Sequence, residues 1–148
     1  EVCVADIPEV IGLELQALAP SVDLCDEISA NDASLVMRVE GPGLSLLLTG
    51  DVEETGEEAL LRYPESLHGD ILKVPHHGGF CEENGEFFRT VDPDVAVVCV
   101  GEDNGYGHPS ESTVNALERV GCSVYRTDLH GDIVVHVVEG GYRVECER

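Results

Sequence analysis

Three stretches of this chain end a short apolar run with a side chain that can bind a metal. Leu46-Leu47-Leu48 runs through Thr49-Gly50 into Asp51. Ile71-Leu72-Lys73-Val74 runs through Pro75 into His76-His77-Gly78-Gly79. Val95-Ala96-Val97-Val98-Cys99-Val100 leads through Gly101-Glu102-Asp103-Asn104-Gly105-Tyr106-Gly107 to His108-Pro109. Carboxylate plus imidazole is a normal ligand set for zinc, manganese or iron. Each residue also has a plainer use. Asp51 could cap a helix or close a turn, His76 and His77 could form a polar loop tip, and His108 could cap a helix. Lys73 could steady an anionic substrate or pair with one of the many acids. Asp128 could hold a neighbouring histidine. His68, His130 and His136 have no comparable context and read as structural or surface residues.

Short apolar runs bounded by turn residues are the mark of buried strands. If the three runs are neighbours in one sheet, their ends bring Asp51, the His76–His77 pair and His108 to one edge of a layered α/β domain. In an extended segment His76 and His77 point opposite ways, so one can reach a metal while the other turns elsewhere. Further strands are expected at residues 2–5, 13–18, 124–126, 133–138 and 142–146. Residues 35–39 and 44–48 flank Gly41-Pro42-Gly43 as a hairpin. Residues 19–32 read as a polar loop. Thr55-Gly56-Glu57-Glu58 fits a capping box that starts a short helix, which Pro64 stops. A second helix is expected at 85–90 and a third at 110–120, with Gly121 as its stop.

A chain of 148 residues is one domain or part of one. Its composition, 43% hydrophobic and 26% charged, is that of an ordinary globular protein. No apolar stretch is as long as a membrane span, and no signal peptide is visible. The charge is unusual. Thirty Asp and Glu against eight Lys and Arg give a formal net charge of −22. Such a surface repels nucleic-acid backbones unless bound metal reverses the sign locally. None of the six cysteines forms a Cys-x-x-Cys pair, which argues against a zinc ribbon or a thioredoxin motif. Cys99 reads as a small hydrophobe inside a strand.

Five blocks carry a resemblance to a known family. They are Asn31-Asp32-Ala33-Ser34-Leu35-Val36, Leu48-Thr49-Gly50-Asp51, residues 70–78 (Asp-Ile-Leu-Lys-Val-Pro-His-His-Gly), Asn104-Gly105-Tyr106-Gly107-His108-Pro109 and residues 125–133 (Tyr-Arg-Thr-Asp-Leu-His-Gly-Asp-Ile). In this order they resemble the metallo-β-lactamase superfamily and, within it, the C-terminal domain of the ComEC competence proteins. The resemblance implies half of an αββα sandwich with mixed sheets and short helices. It departs from the family in one respect. The His-x-His-x-Asp-His run that supplies most of the ligands is absent, and the first histidine is His68. Residues 1–148 are therefore expected to be either the C-terminal portion of the domain, a piece of a larger protein that begins upstream of Glu1, or a chain that has lost the site, the first reading being preferred.

By this resemblance Asp51 bridges two divalent metals, zinc or manganese, His77 is a ligand, and His76 and His108 contact substrate phosphate. The order of His76 and His77 could be reversed. The implied function is a metal-dependent phosphodiesterase or DNase linked to DNA uptake. Its implied partners are DNA, the missing N-terminal half and the membrane channel of a bacterial parent. This piece alone is expected to be soluble, to bind metal weakly and to be inactive. The alternatives are a small-molecule phosphodiesterase or esterase on the same fold and a non-catalytic partner-binding module.

Overall fold

The computed structural model describes residues 12–20, 28–79 and 85–148. The expected strand at 2–5 and three cysteines, Cys3, Cys25 and Cys81, lie outside these residues. A six-stranded mixed sheet dominates, in the order β1 (Glu14–Ala19), β2 (Val36–Gly41), β3 (Leu44–Leu48), β4 (Ile71–Lys73), β5 (Val95–Val98), β6 (Ser123–Arg126). The first three strands pair antiparallel and the last four run parallel from β3 onward. β7 (Ile133–Val138) and β8 (Gly141–Cys146) form a separate two-stranded ribbon. The layered α/β class expected from the sequence is the class observed.

The parallel strands alternate with helices because each needs a crossover to start again at the same end. α1 (Glu54–Leu60), α2 (Glu86–Val91) and α3 (Glu111–Val120) make these crossovers. All three pack on one face of the sheet. Leu60, Phe87, Phe88, Val91, Ala116 and Leu117 form one buried cluster with Leu47, Leu72, Ala96 and Val98. Period-two alternation sends those strand residues to the helices and leaves Leu46, Leu48, Lys73 and Val97 on the other face. α3 ends at Gly121 as expected, with φ +90°, while its start is capped by the Ser110 hydroxyl, which accepts the Thr113 N–H at 3.1 Å.

α1 corrects the expected capping box. Thr55 lies within the helix, and the Glu53 cap makes no side-chain capping bond. Asp32, buried at 7% exposure, does this work from a distant loop. Its Oδ1 accepts the N–H groups of Glu53 (3.0 Å) and Gly56 (2.9 Å). Pro64 opens a short 3-10 turn, Pro64–Ser66, just after the helix.

At the opposite end of the strands Asp70 clamps β3 to β4, accepting both the N–H and the hydroxyl of Ser45. Burial pushes the Asp70 carboxyl up, but the bonds from Ser45 outweigh it and leave the pKa below its usual value. A carboxylate with a lowered folded pKa adds stability above its unfolded pKa, and that stability is lost as pH falls through the folded value. Asp70→Asn should therefore cost about 1–2 kcal/mol near neutral pH. The gap from wild type should close as pH drops below about 4. Urea unfolding at stepped pH measures it, and a gap that widens in acid refutes it.

Candidate metal and phosphate site

The ends of β3, β4 and β5 stand side by side because Leu48, Lys73 and Val97 are in register. The turns that follow therefore share one edge of the sheet. Thr49, fully buried, donates its hydroxyl to Lys73 O at 2.7 Å and laces β3 to β4. Asp51 comes next, its N–H donated to the Ser34 hydroxyl at 3.0 Å. After β4 the chain makes a 3-10 turn, Pro75–Gly78, in which His76 and His77 take left-handed backbone angles, φ 44° and 55°. Such angles cost a non-glycine residue about 1–2 kcal/mol each. This corrects the extended geometry expected for the pair. The two rings still diverge, with centroids 6.5 Å apart.

His77 turns toward Asp51. Its Nδ1 lies 2.6 Å from Cys99 O, a carbonyl that can only accept, so Nδ1 carries the proton. Nε2 then offers a lone pair 3.4 Å from Asp51 Oδ1. Two donors on bonds of about 2 Å at a roughly tetrahedral angle stand this far apart. The carbonyl behind the far nitrogen is the support that metal-binding histidines usually have. Lys73 Nζ sits 3.7 Å from the same Oδ1 and donates to Gly50 O at 2.5 Å. The donor chemistry thus suits a divalent metal but is incomplete. Among the described residues no group of three His, Cys, Asp or Glu could hold an ion.

His76 turns the other way. Its Nδ1 meets Glu53 Oε1 at 2.9 Å, and Asn31 Nδ2 donates to that same oxygen at 3.0 Å. The His108 ring lies 5.5 Å from that of His76. Burial first, then the charges of His76 and His77, lowers the His108 pKa. His108 does not cap α3; Ser110 does. It is held instead by Asn104, whose side chain accepts its N–H at 3.0 Å and donates to its carbonyl at 2.8 Å. The start of α3 is stitched to the histidine turn. Ser110 donates its N–H to Gly78 O at 2.7 Å and its hydroxyl to Gly79 O at 3.1 Å, and the Thr113 hydroxyl also donates to Gly79 O.

Asp51, His76, His77 and His108 therefore share one edge, as their strand-end positions lead one to expect. Sequence reasoning missed Glu53 as the partner of His76; its place two residues beyond Asp51 was the available signal. Asp128 does not hold a histidine. It grips Arg126 through Nε (3.0 Å) and a second nitrogen (2.5 Å), and those hydrogen bonds keep its pKa low. Cys99 lies just past β5 rather than inside it, and its carbonyl serves His77. His68 and His136 bond elsewhere, to Val91 O and Glu145.

No family model matches the chain. Relatives do. It is 35% identical to ComE operon protein 3 of Bacillus subtilis over 133 residues, covering 90% of this chain and 17% of that protein. It is 35% identical to Competence protein ComA of Neisseria gonorrhoeae over 135 residues, 90% of this chain and 19% of the relative. Recombination protein 2 of Haemophilus influenzae is 30% identical over 139 residues, 93% of this chain and 17% of the relative. The chain thus spans less than a fifth of the length of the curated relatives it matches.

Proposed function

The chain is a relative of the ComEC-type competence proteins, and on that premise we propose that it carries part of a metal-dependent phosphodiesterase site that acts on DNA during uptake. The observation that supports this reading best is the approach of His77 Nε2 to Asp51 Oδ1, with Nδ1 tied back to Cys99 O. Asp51 and His77 would hold a divalent metal, zinc or manganese, and the metallo-β-lactamase likeness suggests two such ions in the full domain. When bound, the metal supplies Lewis acidity toward water and the phosphoryl group.

The chain's own residues do the positioning. Asn31 and Glu53 orient His76, so that its Nε2 is the nitrogen left for substrate phosphate. Asn104 fixes His108 beside it, as a second phosphate contact. The acidic surface disfavours DNA, so attraction must come from the metals, from Lys73, or from other parts of a longer protein such as the relatives have. Among the described residues no helix is long and apolar enough to cross a membrane; a membrane-bound parent would carry its spans elsewhere.

Calorimetric titration with manganese or zinc tests the site. Binding to this chain should be weak, since a stable catalytic site needs about three protein ligands. Asp51→Ala or His77→Ala should weaken it by at least about tenfold, because even partners one bond further from a metal cost about 10- to 100-fold. His136→Ala should change nothing. Tight zinc binding that survives both site variants would end the assignment. Cleavage of single-stranded DNA by this chain alone should be negligible, and robust manganese-dependent cleavage would refute that expectation.

A further inference from the structure

Tyr106 is the most exposed large apolar side chain among the described residues, at 86%. It does not hang loose. Its ring lies nearly parallel to that of His108, 16° between planes and 5.9 Å between centroids. His108 in turn stands edge-on to His76. Three rings thus lead from the Asp51–His77 pair outward to solvent. The loop that presents Tyr106 is pinned at its base by the Asn104 side chain, which bonds both backbone groups of His108 and also donates to Gly101 O at 3.3 Å. Although it lies beside the His108 imidazole, the Tyr106 ring stays open to water.

From this geometry we propose that Tyr106 is a stacking platform for a nucleobase of single-stranded nucleic acid, placed one ring beyond the phosphate contacts. The proposal rests on the reading of His76 and His108 as phosphate contacts. A protein with a formal charge of −22 cannot hold a polyanion by surface charge. An uncharged aromatic face is what it can offer instead, and every base has a π-face to match. Stacking on one aromatic ring contributes about 1–3 kcal/mol per base, roughly 5- to 150-fold in affinity. A duplex keeps its bases stacked on one another, so the platform suits a single strand.

The chain contains no tryptophan, so Tyr106→Trp introduces a lone fluorophore at the platform. Titration with a short oligothymidylate in manganese buffer should quench it, and an abasic oligomer of equal length should not. In competition binding, Tyr106→Ala should weaken oligothymidylate about tenfold while Tyr106→Phe keeps it. Absence of quenching, or equal quenching by the abasic oligomer, overturns the proposal; the latter marks a sugar or phosphate contact. Quenching by thymidylate with metal binding indifferent to Asp51 would keep the platform and remove the hydrolase reading. The reverse pattern would remove the platform alone.

Discussion

The Gly78→Ala variant is expected to be about 3 kcal/mol less stable than the wild type, the joint result of strain and overpacking. Gly78 sits at φ +77°, where an L side chain is disfavoured. A Cβ there would stand 2.6 Å from Pro109 Cβ and 3.3 Å from Val98 Cγ1. Neither neighbour yields easily. Pro109 is a ring on the backbone, and Val98 is fully buried in the sheet. The carbonyl of Gly78 also accepts the Ser110 N–H, so a shift of the turn would pull on α3. The urea midpoint should fall by about 1 M or more, given a slope of about 1–3 kcal/mol/M. Gly105→Ala is the matched control: its Cβ would meet nothing within 4 Å, so its midpoint should stay put. Equal midpoints for the two variants would show that the turn is loose, and with it the placement of His76 and His77.

Asp32→Ala carries the second large expected loss, about 2–4 kcal/mol, since bonds to a charged group are worth about 1.5–3 kcal/mol and their loss strands buried donors. Three groups lose a partner: the N–H of Glu53, the N–H of Gly56 and the Ser29 hydroxyl, which donates to Oδ2 at 2.9 Å. Gly56 is buried against Val52 and Asp32 and has no room to tilt toward water. Asp32→Asn should cost less, because an amide oxygen can still accept both backbone N–H groups. Chemical unfolding with far-ultraviolet dichroism reads both variants. A loss below about 1 kcal/mol for the alanine variant would mean that α1 draws its stability from packing alone. The site should feel this change too, because Glu53, the partner of His76, begins at the N–H that Asp32 holds.

These two positions differ in how far they could be read without coordinates. Gly78 follows two histidines that could form a polar loop tip, and glycine at such a tip is the residue that accepts a positive φ, although the pair itself was expected to be extended. Asp32 was placed in a polar loop and in a family block without a role, and the capping box was placed at Thr55, because a local pattern cannot show a cap supplied from 24 residues away. The same division runs through the chain. The alternating strand of residues 13–18, the hairpin, α3 with its Ser110 and Gly121 ends, and the strand-end positions of Asp51, His77 and His108 were all legible. They follow from periods of two and 3.6 residues and from turn residues, which act over a few positions.

What the sequence by itself determined is where the described strands and three of the helices lie, and hence that Asp51, the histidine pair and His108 follow strand ends. Only the tertiary structure decided which atoms meet. The left-handed angles of His76 and His77, the Cys99 carbonyl behind His77 and Glu53 behind His76 depend on register between neighbouring strands and on packing in the turns. The two histidine contacts join residues 22 and 23 apart in the chain, and the forces that select them, burial and the pairing of buried polar groups, act on distance in space and leave no periodic trace in the order of residues.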